Sequence, residues 1–330
     1  MEDGGLRELF DELSVFHGEA STTLARVYAR LPESAEVAGC ELTGRVVGPR
    51  CRWAKTLPAA SRLVAVRRGG DGKGLLAEAV VPDPCFWSDE VPMLYDVHVE
   101  LRRDGDTIAA AERTIGFRGV GRRGQSFLRQ GKRWVPRGMY VDAVPAPERD
   151  DFEAWRAAPA VMVVESPSDA VCLTASETGV WVVADLREVI RSNAVRTAGQ
   201  ASSGAGTTSI DAELVRLARH PAVFLVVLPT GVHATPELRA NAPNVLLAER
   251  PTHDAIAQVS PQADCVWLDA DHAEAFAVAA RATTLPIVAC RSMTAAQSLS
   301  EVRLACDHLQ RDLAPIGDFA GYVISPNPES

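Results

Sequence analysis

Five carboxylates, Glu165, Asp185, Glu249, Asp269 and Asp271, each stand at or just past the end of a short apolar run. Two carboxyl groups held close together can do acid/base chemistry. Their charges repel, one pKa rises, and that group keeps the proton an acid catalyst must deliver. A plainer reading of the same residues is that they meet water or pair with Arg187, Arg250 and Arg291, which follow the same runs.

Other reactive types give weaker patterns. His233, His253 and His272 trail three of the runs and, with Asp254, Asp269 and Asp271, offer nitrogen and oxygen donors to a divalent ion. Their spacing fits no ligand motif, so no metal is expected. Ser166 and Ser168 lack the Gly-x-Ser-x-Gly elbow that exposes a serine nucleophile. Cys290 sits beside Arg291, a neighbour that can lower a thiol pKa, although an inert half-buried thiol is the simpler reading. No glycine-rich phosphate loop follows a strand in the required form, so no cofactor is expected.

The runs that position these groups number eight: near 134–140, then 161–165, 180–185, 223–228, 245–249, 265–269, 286–290 and 320–324. Continuous apolar stretches of this length fit parallel strands covered on both faces. Helical segments separate them. Leu299, Val302, Cys306, Leu309 and Leu313 form one stripe, opened by a Ser298/Glu301 capping box and stopped at Pro315. Ser209 is placed to cap another helix, with Ile210, Leu214 and Leu217 on one face. The pattern is a compact (β/α)8 TIM barrel of about 190 residues, against roughly 250 in a typical one. Its active site would lie at the C-terminal strand ends. The Gly/Ser/Thr-rich stretch 198–208 would lie over that face, as a lid or a plain insertion.

Residues 1–118 alternate with a period near two and are broken by Gly48-Pro49, Gly69–Gly72, Asp83-Pro84 and Asp104–Asp106. Six or seven short strands at that spacing predict an antiparallel sandwich. The barrel domain is then 119–330, entered through a hairpin at 119–136. Seven basic residues fall between Arg118 and Arg137, both included, which reads as a solvated hairpin in so acidic a chain. With 34 basic and 43 acidic residues the net charge is −9, so nucleic acid and anionic membranes are not expected partners. The seven scattered cysteines argue against a disulfide framework. The acidic start, Met1–Gly5, shows no apolar targeting segment, and a cytoplasmic location is expected.

Pro82-Asp-Pro-Cys-Phe-Trp-Ser88 followed by Pro92–Leu101 resembles the last strands of the immunoglobulin-like domain of glycoside hydrolase family 2. Thr114–Arg118 and then Gln130–Gly138 resemble that family's entry into its barrel. His220–Val223 is similar to the opening of its fourth strand, and Gly317–Gly321 to the approach to its eighth. The resemblance implies an immunoglobulin-like β-sandwich followed by a TIM barrel, and a retaining glycosidase with two glutamates. One would be an acid/base after strand 4 and the other a nucleophile after strand 7, with carboxyl groups about 5–5.5 Å apart. Aligned on His220-Pro221, the acid/base position holds Gly231. Aligned on Pro286–Val288, the nucleophile position holds Arg291. Glycine has no side chain, and arginine stays protonated. Of the family's polar run after strand 1 only Arg137-Gly138 remains, leaving Arg137, Tyr140, Asp142 and Arg291 as candidate ligand contacts.

The reading is therefore a degenerate family 2-like protein, a pseudo-glycosidase that binds a carbohydrate or a protein. Its alternatives are an active retaining glycosidase with relocated carboxylates among Glu165, Asp185, Glu249, Asp269 and Asp271, and a structural subunit assembling through the sandwich. The sequence carries no signal for an oligomeric state.

Overall fold

The computed structural model describes all residues except 1–9, 11–12, 35–36, 67–73, 142–148, 188–209, 294–297 and 327–330. Asp142, the 198–208 stretch and the Ser209 cap lie outside the described residues. The chain divides into two compact units. One is 1–118 with 218–221, and the other is 119–217 with 222–330.

The first unit carries seven antiparallel strands: β1 (Ser14–Ala20), β2 (Leu24–Leu31), β3 (Cys40–Arg50), β4 (Ala59–Ala65), β5 (Leu75–Pro82), β6 (Leu94–Arg103) and β7 (Asp106–Ile115). They are ordered β1-β2-β5-β4-β3-β6-β7. Strand β4 changes partner along its length. Ala59–Leu63 pair with β3, and Val64 and Ala65 pair with β5. The apolar residues of β2, such as Val27, Ala29 and Leu31, pack in one core with Leu42, Val46, Val97, Val99 and Leu101 of β3 and β6. Alternation produces this, because side chains at i and i+2 share a sheet face.

Two buried polar groups sit in this core. Arg118 donates from Nη1 to the carbonyls of His220 and Pro221 at 2.8 and 3.0 Å. Burial pulls its pKa down to about 9. His17 lies edge-on to Phe117. Burial, followed by the Arg118 charge, lowers its pKa to about 4.

The second unit opens with a small antiparallel sheet, β8 (Val120–Arg123), β9 (Ser126–Arg129) and β10 (Lys132–Trp134). The expected two-arm hairpin therefore has a third arm, and Trp134 belongs to it and not to the first barrel strand. Trp134 packs against Trp181 and Phe224 at the N-terminal ends of two barrel strands, with ring centroids 5.0 and 4.8 Å away.

The barrel is closed and wholly parallel. Its strands are β11 (Arg137–Val141), β12 (Val161–Glu165), β13 (Val182–Asp185), β14 (Val223–Val227), β15 (Leu246–Glu249), β16 (Cys265–Asp269), β17 (Ile287–Met293) and β18 (Gly321–Pro326). Helices α1 (Arg149–Ala157), α2 (Asp169–Thr178), α3 (Ile210–Ala218), α4 (Pro236–Asn241), α5 (Ala273–Arg281) and α6 (Leu299–Leu313) join them. The β15–β16 connection departs from the expected helix. It holds only a three-residue 3-10 turn, Ile256–Gln258.

Helix α6 is the best specified. Its Ser298/Glu301 capping box is formed, and Val302, Cys306, Leu309 and Leu313 are buried. Cys306 Sγ reaches the carbonyls of Gly138 and Tyr322, so α6 lies over the seam where β11 meets β18. A Cβ at Gly138 would stand 2.5 Å from the Val161 carbonyl oxygen, so only glycine fits there. No helix among the described residues is long and apolar enough to cross a membrane.

The depressed His17 pKa makes the sandwich acid-sensitive. Below its ordinary pKa near 6.5 the unfolded chain takes up the proton first, so stability is full above pH 6.5 and falls as pH drops toward 4. The expected loss is on the order of 3 kcal/mol. Urea midpoints at pH 7 and pH 4.5 should differ strongly in the native protein and much less in His17→Leu.

Candidate functional site

Where parallel strands end, their last inward side chains converge, so the C-terminal mouth of β11–β18 is the place to look for chemistry. Tyr140, Asp185, Arg187 and Arg250 fill its centre. Asp185 ends β13 and is fully buried. Its Oδ2 accepts from Tyr140 Oη at 2.6 Å, Arg187 Nη2 at 2.8 Å and Arg250 Nη2 at 2.6 Å. Its Oδ1 accepts from the Arg187 amide at 3.1 Å. Arg187 also pairs with Glu165 at 2.9 Å and lies over the Tyr140 ring, 4.5 Å from its centroid.

The electrostatics follow from these contacts. Burial opposes ionisation of Asp185, but Arg250, Arg187 and the Tyr140 hydroxyl together hold its pKa below the usual carboxylate range. Burial, and then the Asp185 charge, push Tyr140 well above 10, so it stays a neutral donor. Both arginines are held in their charged form by the same partners, against the cost of burial. Asp185 is thus a permanently ionised, fully paired anion. It holds no proton to give.

The other carboxylates separate. Glu249 is buried and turned to the loops around it. It accepts from His233 Nδ1 and the Ala234 amide, both at 2.8 Å, and from the Ser260 amide. It braces the β14–β15 and β15–β16 connections and does not line the mouth cavity. Asp269 and Asp271 do line it, and both are exposed. Asp269 Oδ1 accepts from the Asp271 amide at 2.7 Å, and Asp271 Oδ1 from the Ser292 amide at 2.9 Å. Neither has a cation within ion-pair distance among the described residues.

The remaining cavity is about 190 Å³, lined by Tyr140, Arg187, Arg250, Trp267, Asp269, Asp271, Cys290, Ser292 and Ser325 among others. It is smaller than the roughly 300–1,000 Å³ of drug-sized sites. It therefore has room for one small polyol and not for a chain of sugars. Trp267 enters the site two residues before Asp269 on β16, and Ser325 from the last inward position of β18, both of which counting strand residues two at a time would have located.

Two expectations need correcting. Arg291 faces away from the mouth. Its Nη1 donates to Asp312 of α6 at 2.6 Å, while its neighbours Cys290 and Ser292 line the cavity. Adjacent strand residues point to opposite faces, so the guanidinium puts no charge in the mouth. Arg137, at the start of β11, is bound by Asp307 and Gln310 of α6, both at 2.6 Å, and is likewise outside the cavity. Cys290 agrees with the simpler reading of an inert thiol, because burial raises its pKa to about 12 despite the nearby Arg250.

Gly231 lies beyond β14 in a left-handed conformation (φ +81°), with open space around the position of a Cβ. A glutamate there would be strained by its backbone, not by crowding. No three His, Cys, Asp or Glu side chains among the described residues come together as a metal site requires.

Comparison with known proteins agrees with this architecture. Residues 53–118 match the family model of Glycosyl hydrolases family 2. No curated protein matches the chain. Among solved structures it is similar to a β-glucuronidase of Parabacteroides merdae, at 14% identity and TM-score 0.60, covering 96% of this chain and 47% of that one. A glycosyl hydrolase family 2 member of Bacteroides cellulosilyticus gives 16% identity and TM-score 0.61, covering 96% and 43%. A putative β-galactosidase of Bacteroides fragilis gives 12% and 0.59, covering 95% and 54%. The chain thus spans about half the length of these structures. The resemblance to glycoside hydrolase family 2 holds, and at these identities the structural likeness is one of fold.

Asp185→Asn should be costly, because it leaves Arg187 and Arg250 clustered without their buried counter-ion. Removing one partner of a buried ion pair costs about 3–5 kcal/mol. Urea unfolding should show a loss of that size, against about 1 kcal/mol for the partly exposed partner change Glu165→Gln. Equal effects would refute the central role of Asp185.

Proposed function

We propose that this protein is a non-catalytic relative of the family 2 glycosidases, an immunoglobulin-like sandwich joined to a TIM barrel. Its barrel mouth binds a single small polyhydroxylated ligand. The observation that carries the reading is the Tyr140–Asp185–Arg187–Arg250 network, which occupies the centre of the mouth. Retaining hydrolysis needs a carboxyl that holds a proton and a second one that attacks carbon. Asp185 is locked as an anion, Glu165 is paired with Arg187, and Glu249 is turned into its loops. The positions where the family resemblance puts the two glutamates hold Gly231 and Arg291.

Binding, in contrast, has its groups in place. Asp269 and Asp271 accept hydrogen bonds from ligand hydroxyls, Ser292 and Ser325 donate or accept, and the Trp267 and Tyr140 rings supply an apolar wall. A carbohydrate fits this set better than a protein segment, because the cavity is small and sets several polar groups beside two aromatic rings. A cytoplasmic location belongs to the same reading.

A second reading is an active glycosidase that uses Asp269 and Asp271 as its pair. It is favoured by one observation, the absence of a cation beside either group among the described residues.

Two measurements separate the readings. A panel of chromogenic glycosides should show no turnover above background. Monosaccharides titrated into labelled protein should shift mouth resonances saturably, and Asp271→Asn should weaken that binding about tenfold or more. Turnover that Asp269→Asn or Asp271→Asn abolishes would overturn the non-catalytic reading. No saturable shift with any monosaccharide would overturn the carbohydrate ligand.

A further inference from the structure

A second cavity lies on the sandwich. It is a dent of about 600 Å³ in the outer face of β4, β3, β6 and β7. Its centre is a row of side chains in cross-strand register: Arg62 opposite Arg45, Arg45 opposite His98, and His98 opposite Glu112. Like charges directly opposite one another destabilise a sheet. An acidic chain with 43 carboxylates has placed two arginines there all the same.

The surrounding groups do not neutralise that pair. Glu112 faces His98 Nδ1 at 3.8 Å. Glu100 accepts from the Thr107 hydroxyl, and Arg102 donates to the Gly105 carbonyl. Neither Arg45 nor Arg62 has a hydrogen-bond or ion-pair partner among the described residues. Two guanidinium forks from adjacent strands are a donor set matched to a tetrahedral oxyanion. The Thr43 hydroxyl lines the same dent.

We infer that this dent binds a phosphate or sulfate monoester, with the oxyanion gripped between Arg45 and Arg62. At about 600 Å³ the dent has room for a ligand much larger than a bare anion, about twenty times the share of one water in the liquid. The rest of the dent describes the body of the ligand. Glu100 and Glu112 accept from hydroxyl groups, and Ala110 and Ala111 leave the floor flat. That combination suits a phosphorylated or sulfated sugar. The inference is independent of what the barrel mouth binds.

The test is titration calorimetry of the intact protein with glucose 6-phosphate, glucose 6-sulfate, inorganic phosphate and glucose at matched ionic strength. Either ester should bind, the bare ion should bind more weakly, and glucose should not bind at this site. Arg45→Gln and Arg62→Gln should each weaken ester binding about tenfold or more, while Arg123→Gln should leave it unchanged. Because the repulsion is relieved, Arg62→Gln should also raise the thermal midpoint without ligand and lose the ester-induced rise. Equal binding of glucose and its esters, affinity unchanged in both arginine variants, or bare phosphate binding as tightly as either ester would overturn the assignment.

Discussion

A carboxylate with no exposed surface must be paired, because moving a bare charge out of water costs far more than one domain's stability supplies. Asp185 is such a group, and the arrangement of the barrel mouth follows from it. Two arginines, one just past β13 and one just past β15, and one tyrosine from β11 turn inward to meet it. Arg187 then recruits Glu165, and its face covers the Tyr140 ring. The network takes the space in which a reacting bond would otherwise sit. What is left is a small recess lined in part by Asp269 and Asp271. The same ion cluster that closes the mouth to a polymer thus shapes a site for something small.

The eight barrel strands are legible in the sequence because each is apolar on both faces, and a run such as Val223–Val227 admits little else. The helix α6 is legible from its stripe and cap. Element identity, however, does not fix which way an end residue points. Arg137 and Arg291 look like mouth residues on position along the chain, yet both are spent on α6, one binding Asp307 and Gln310 and the other Asp312. Glu249 is similar. Its position at a strand end suggests the mouth, but two loop amides and a histidine hold it elsewhere. These partners lie between 11 and 173 residues away, a distance at which no local pattern reports. The missing helix between β15 and β16 is equally silent, since the sequence between them is long enough for one.

The two units handle buried charge differently. In the barrel, cations and anions neutralise one another. In the sandwich, Arg118 donates to the His220 and Pro221 carbonyls, and His17, lowered first by burial and then by the Arg118 charge, stays neutral into mild acid. The barrel mouth should therefore keep its geometry over a pH range in which the sandwich core is already losing stability.

The position of α6 has a consequence for how the chain acquires its structure. The ring closes where the first strand meets the last, and α6 is the clasp over that seam, bonding to Gly138 and to Tyr322 through one cysteine. The first of these contacts joins residues 168 positions apart. During synthesis, β11 to β17 can pair in order, but β11 keeps an open edge until the segment from Leu299 onward has left the ribosome. Such an edge pairs readily with other chains, and long-range closure of this kind is slow. The barrel is thus a structure whose first strand waits longest for its partner, and its yield in the cell should depend on how well that interval is protected.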